Sequence, residues 1–155
     1  MNIEELVKRK LENGVCLDLE NQNIGPEGAK KLAQMSELSS LTTLELGDNN
    51  IGDEGVAALA ESPHFANLKI LNLKSNKITA NGARILAESK AFPKIDQLVL
   101  KFNDIREEGA KHLAESENYS QLSTLDLFRN HIGPEGAKAI KRSKNYKRLS
   151  RVRLD

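Results

Sequence analysis

The sequence predicts an α/β repeat fold in which each unit of 27 residues supplies a short strand, a turn and a helix. Three observations carry that reading. Leu19, Leu46, Leu73, Leu100, Leu127 and Leu154 recur every 27 residues without slippage, and self-similarity at such a period marks a solenoid or an array. Leu44-Glu45-Leu46 and Leu71-Asn72-Leu73 alternate apolar and polar residues, the pattern of a strand with one buried and one wet face. Ala29, Leu32 and Ala33 fall at i, i+3 and i+4, one apolar stripe of a helix that turns Lys30, Lys31 and Gln34 to water. A doubly wound sheet is covered on both faces and reads as continuous apolar runs, so the alternation argues against a Rossmann-like arrangement.

The elements follow in chain order. Ile3, Leu6, Val7 and Leu11 share one helical stripe, with Glu4 and Glu5 in the first turn and Lys8 to Lys10 in the last. Residues 3–11 therefore read as a helix with Gly14 as its C-cap element, and residues 1–13 as an N-terminal cap over the first coil. Five repeats are expected over 14–148. Each places a leucine two residues before the first series, from Leu17 through Leu44, Leu71, Leu98 and Leu125 to a closing Val152. Asn49, Asn76, Asn103 and Asn130 come next, after Gln22 in the first unit. A buried Asn amide donates and accepts at once, so stacked Asn side chains can satisfy backbone groups where adjacent coils turn away from the sheet. Gln22 stands where only one neighbouring coil exists.

Each helix opens on a recognisable start, as in Gly25-Pro26-Glu27 and Gly133-Pro134-Glu135. Proline fits the first helical position and glutamate complements the positive end of the helix dipole. Gly28, Gly55, Gly82, Gly109 and Gly136 recur within the first turn, where glycine costs helix propensity; a neighbouring backbone too close for a Cβ is the expected reason. An apolar series from Leu38 through Phe65, Phe92 and Tyr119 to Tyr146 fills a core position after each helix. Leu149, Val152 and Leu154 begin a partial sixth strand over 149–155. No polar cap follows it, although terminal repeats need one, so the readings are a fragment or a last coil covered by something else. Residues 1–155 read as one domain, without a linker.

The segment Leu41-Thr42-Thr43-Leu44-Glu45-Leu46-Gly47-Asp48-Asn49-Asn50-Ile51, followed by Gly55-Val56 and Leu59-Ala60, resembles a leucine-rich repeat. The likeness is to the helix-containing, ribonuclease-inhibitor-like class, with similar units in NLR-type receptors and Ran GTPase-activating proteins, and it spans residues 14–155. It implies a right-handed solenoid with a parallel β-sheet on the concave face and α-helices on the convex face. It also implies protein recognition through the concave face. The GTPase-activating activity rests on particular loop residues, so regulation of a GTPase is a fold analogy only.

Composition narrows the function classes. The chain has 155 residues, with 22 Leu and 14 Asn against 4 Phe, 2 Tyr and no Trp, so its core must be built of Leu, Ile and Ala. A formal net charge of +1 argues against a globally basic nucleic-acid binder. No apolar run approaches the roughly 18 residues of a membrane span, and the first nine residues carry charges where a signal peptide has an apolar stretch. Cys16 is the only cysteine, which excludes an internal disulfide and points to a reducing compartment. The expected setting is the cytoplasm, with delivery into a host cell left open, and with no membrane and no small-molecule cofactor.

No catalytic constellation emerges. His64, His112 and His131 fall on different coils at different phases of the repeat, without ligand spacing, and read as surface histidines. Cys16 lacks a partner histidine on the strand phase, so a partly shielded free thiol is the preferred reading over a nucleophile. Gly25-Pro26-Glu27-Gly28 lacks the Lys-Ser/Thr of a phosphate loop. Asp53-Glu54 and Glu107-Glu108 sit at helix starts, where dipole complementarity explains them. The expected protein is not an enzyme and binds no metal.

Functional information must then lie where the coils differ. The first two coils place Asp18, Glu20, Glu45 and Asp48 on the outward strand face, whereas later coils place Lys74, Lys101, Arg129, Arg151 and Arg153 there. Between them fall Ile70, Val99, Phe102 and Phe128, apolar residues on a face that should be wet. Exposed apolar clusters rimmed by charge mark interaction sites; the alternative is that the phenylalanines fold sideways over neighbouring strands. The binding reading is preferred, and the expected partner-binding set is Ile70, Asn72, Lys74, Val99, Lys101, Phe102, Asp126, Phe128, Arg129, Arg151 and Arg153. Residues 1–73 hold 6 Lys and Arg against 12 Asp and Glu, and residues 74–155 hold 17 against 10. The tract 141–153 is basic without an acid, which makes nucleic acid or another anionic partner the runner-up to a protein or peptide. Tyr146 in that tract keeps the recurring aromatic phase and reads as core. A monomer with weak, salt-dependent self-association is expected.

Overall fold

The structure is a computed structural model that describes residues 2–154; Met1 and Asp155, the last residue of the expected sixth strand, lie outside the described residues. Helix α1 (Ile3–Lys10) opens the chain, with the Asn2 side chain accepting the Glu5 N–H at 3.1 Å as its N-cap. It buries Ile3, Leu6 and Val7. The helix stops one residue earlier than its apolar stripe predicts, because Leu11 enters a two-residue strand, β1 (Leu11–Glu12), antiparallel to β2 (Cys16–Asp18). Gly14 is therefore a hairpin residue rather than a helix cap. Residues 13–15 connect the two strands; Asn13 and Gly14 both take positive φ, 55° and 73°, a region open to asparagine and glycine, and Val15 N–H closes the turn on Glu12 O at 3.1 Å.

From β2 onward the strands are parallel and in register at 27 residues. Strand β3 spans Thr43–Glu45, β4 Ile70–Asn72, β5 Gln97–Val99, β6 Thr124–Asp126 and β7 Arg151–Arg153, and the sheet order follows the chain from β1 to β7. Leu17, Leu44, Leu71, Leu98, Leu125 and Val152 lie side by side across it. Helices α2 (Gly25–Ala33), α3 (Gly52–Ala60), α4 (Ala80–Glu88), α5 (Arg106–Glu115) and α6 (Gly133–Arg142) return each coil along the other side of the molecule. A single apolar core runs between the two layers; every repeat leucine from Leu17 to Leu127 in the two strand series is at most 1% exposed. Phe65 and Phe92 stack inside it, ring centroids 6.3 Å apart.

Two polar ladders tie the coils together. Asn49 Oδ1 accepts the N–H groups of Gln22 and Ile24, and its Nδ2 donates to Leu19 O, Leu46 O and Gly47 O. Asn76 repeats this on the coil before it. Each Asn thus serves the preceding coil, and Gln22 has no such coil to serve. The second ladder is serine: Ser62, Ser89, Ser116 and Ser143 donate to Ala33 O, Ala60 O, Ala87 O and Ala114 O at 2.6–2.7 Å. These are last-turn carbonyls of the preceding helix, groups that no intrahelical N–H reaches. Met35 holds the serine position in the first coil.

The glycine close to the start of α5 has a more specific cause than the neighbouring backbone alone. A Cβ on Gly109 would lie 2.4 Å from Ile105 Cγ2, and only then 3.1 Å from Ala80 Cα and Ala83 Cβ of the preceding helix. The isoleucine of its own unit is the first obstacle.

Candidate functional site

Because the strand leucines turn inward, the residues flanking them point to the opposite face of the sheet. That face carries three parallel rows. Cys16, Thr43, Ile70, Gln97, Thr124 and Arg151 form one; Asp18, Glu45, Asn72, Val99, Asp126 and Arg153 form the next. The third follows the strands with Glu20, Gly47, Lys74, Lys101 and Phe128 at the same spacing.

Phe102 and Phe128 meet edge to face, centroids 5.9 Å apart and planes at 81°, a favoured aromatic geometry. Phe128 is half-buried under two cations: the Arg153 guanidinium lies 4.6 Å and that of Arg129 5.3 Å from its centroid, both within cation–π range. Phe102 remains 48% exposed. Its backbone has φ +60°, in the left-handed region. The same turn position holds Asn21, Asp48 and Ser75 in earlier coils. Short polar residues enter that region at little cost, whereas a bulky one is an outlier. The fold thus tolerates Phe102 there and does not ask for it.

Three expected contact residues are engaged within the protein. Asp126 is only 7% exposed, not an outward contact, because its carboxylate accepts the Phe128 N–H at 3.1 Å and lies 3.4 Å from Arg153 Nη1. Arg153 is correspondingly shared between Asp126 and the Phe128 ring. Lys74 reaches over Gly47, whose missing side chain leaves the path open, to Glu20 at 2.7 Å and Asp48 at 3.2 Å. Hydrogen bonds to these two carboxylates raise its pKa above the ordinary lysine value. Lys74 therefore belongs to the acidic end of the face. Ile70, Asn72, Val99 and Lys101 are half-buried, while Arg129 and Arg151 are exposed.

The remaining chemistry is dispersed. Burial, then Glu12, Glu45 and Asp18, push the Cys16 thiol up, which withholds the reactive thiolate. His64 Nδ1 pairs with Ser39 Oγ at 3.2 Å, while His112 lies 3.8 Å from Glu108 and His131 3.5 Å from Asp104, on separate coils. Among the described residues no group of three His, Cys, Asp or Glu side chains could hold a metal ion, and no helix is long and apolar enough to cross a membrane. Tyr146 is buried and donates to Leu113 O, so it offers no stacking surface. On the flank where the strands begin, Lys69, Lys94 and Arg148 border an open groove, with Lys94 bonded to Asn67 and Arg148 to Gln121. Sequence reasoning missed this ladder, whose only signal is the shared phase of residues 67, 94, 121 and 148.

A family model described as Leucine Rich repeat matches residues 15–33, 37–60, 66–87 and 121–141. The stretch between, with Lys101 and Phe102, lies outside the matched segments. No curated protein sequence matches the chain. Among solved structures, Leiomodin-1 Actin-Binding Site 2 (ABS2) superposes with a TM-score of 0.59 at 15% identity, over 99% of this chain and 76% of that one. At this identity the likeness is one of fold.

Proposed function

The chain belongs to the leucine-rich repeat family, and we propose from that premise that it is a non-enzymatic interaction module taking a protein or peptide partner on its sheet face. The observation that carries the reading is the Phe102–Phe128 pair. Two of the 4 phenylalanines are spent outside the core, and one of them sits half-exposed in a backbone conformation that disfavours it. Apolar area held in water beside Arg129 and Arg153 is what an anchor residue requires, since aromatic and arginine side chains dominate interface energetics. Rigid presentation is the mechanism: the asparagine and serine ladders lock neighbouring coils, so little conformational freedom is lost on binding. Residence in the cytoplasm and a monomeric resting state accompany this reading, with nucleic acid as the disfavoured alternative.

Photo-crosslinking tests it. A benzoylphenylalanine in place of Phe102 should give a protein adduct in a lysate of the source cells, and the same group in place of Lys31 on α2 should give none. Adducts from position 31 with none from position 102 would overturn the reading.

A further inference from the structure

The sheet face is electrically polarised along the direction in which its coils stack. At one end Asp18 and Glu45 sit side by side on paired strands and enter no ion pair among the described residues, because Lys74 is committed to Glu20 and Asp48. At the other end Lys101, Arg129 and Arg151 are equally without a carboxylate partner among the described residues. Asp126, the acid of this end among the described residues, is taken up by Arg153 and the Phe128 N–H. The aromatic pair lies on the basic side of the boundary, and Val99 and Ile70 lie near it. Among the described residues, what is left outward has opposite sign at the two ends.

We infer that the sheet face selects an extended segment of a partner protein that is itself polarised. Its basic end lies over Asp18 and Glu45, an apolar side chain sits against Phe102, and its acidic end lies over Arg129 and Arg151. This rests on the sheet-face reading and adds a direction and a charge order to it. Asp18 and Arg153 are five strand spacings apart, about 24 Å, which an extended chain of roughly seven to eight residues covers. A uniformly acidic segment would meet Asp18 and Glu45, and a uniformly basic one Arg129 and Arg151; like-charge juxtaposition excludes wrong partners more strongly than matched charge attracts right ones.

Labelled synthetic peptides test the charge order without knowledge of the natural partner. The first probe has nine residues, two lysines at one end, a central phenylalanine and two glutamates at the other end, joined by serine and glycine. The second has the same composition with the charges alternating. In low salt, fluorescence anisotropy should show the polarised probe binding about tenfold more tightly, a preference that shrinks as the Debye length falls to about 8 Å at physiological ionic strength. R151E should weaken the polarised probe several-fold and strengthen a third probe that carries lysines at both ends. F102A should weaken all of them. Equal binding of the two isomers, both sensitive to F102A, would overturn the charge order and leave the sheet-face reading standing. Probe binding indifferent to F102A would place it off this face and overturn the inference, as would tightest binding by an all-acidic probe or no measurable binding at millimolar peptide. A dimer of the protein abolished by R151E would assign the face to a second copy instead.

Discussion

Asn76 Oδ1 accepts the backbone N–H of Asn49 at 3.0 Å, and with the same atom it accepts that of Ile51 at 3.2 Å. One fully buried amide thereby satisfies two buried donors of the preceding coil, while its Nδ2 covers Leu46 O and Lys74 O. Removing it leaves the two N–H groups without a partner, at about 1–3 kcal/mol for each one left unsatisfied, while Leu46 O keeps Asn49 Nδ2 and Lys74 O keeps the Asp48 N–H. N76A should cost about 3 kcal/mol or more in urea denaturation, whereas Q22A, at the same phase in the first coil, should cost under about 1 kcal/mol. Equal costs would show that the ladder is not what holds the turns.

Gly109 cannot carry a methyl group without displacing Ile105 Cγ2, and a β-branched side chain has few rotamers with which to yield. Alanine would gain up to about 1 kcal/mol of helix propensity, yet overpacking of this kind costs about 1–3 kcal/mol. G109A should therefore lower stability, by up to about 2 kcal/mol net. A stabilised variant would show that the contact relaxes freely.

Tyr119 and Tyr146 donate their hydroxyls to Leu86 O and Leu113 O, and burial raises both pKa values far above the ordinary value. With the folded pKa above the unfolded one, the stabilising contribution is complete at neutral pH. It begins to fall near pH 10, where the unfolded chain ionises, and goes on falling toward the higher folded value. Phenylalanine already fills this phase at Phe65 and Phe92, so the variant Y119F/Y146F should fold, at about 1 kcal/mol per lost hydrogen bond. Its stability should decline less than that of the parent between pH 9.5 and 11.5. Parallel declines in the two proteins would contradict this account.

Val152 is 38% exposed at the outer edge of β7, beside the half-buried Leu149 and Leu154, and unpaired edges invite association. Pairing two such edges would bring two basic tracts together, so the acidic half of one molecule against the basic half of another is the favoured contact. Light scattering across a salt series should show a monomer at micromolar concentration in physiological salt and weak association as salt falls. A dimer that strengthens with salt would give the apolar edge the governing role.

Repetition made much of the fold legible. The leucine series recur five or six times, the glycine series five and the asparagine series four, and each recurrence reports a contact between like coils. The serine ladder recurs as regularly, but serine after a helix reads as a generic loop residue until the carbonyl it caps is located. The Asn13-Gly14 turn is a strong hairpin signal overshadowed by the helical stripe that runs on to Leu11. Composition alone could not reveal the state of the candidate site. That Lys74 is spent on Glu20 depends on the empty path over Gly47 and on two coils of stacking, and that Asp126 is covered depends on where Arg153 lies. The outward positions were readable; their pairing was not.

The central claim is that the half-exposed aromatic pair is the anchor of a partner-binding face. The most direct test is calorimetric titration of the crosslinked partner, once purified, into the parent protein, F102A, F128A and K31E, with denaturation midpoints measured alongside. F102A and F128A should each weaken binding by about 1–3 kcal/mol, as anchor residues do, with F102A unfolding at the parent midpoint and K31E binding as the parent does. Binding lost in K31E and retained in both phenylalanine variants would contradict the claim.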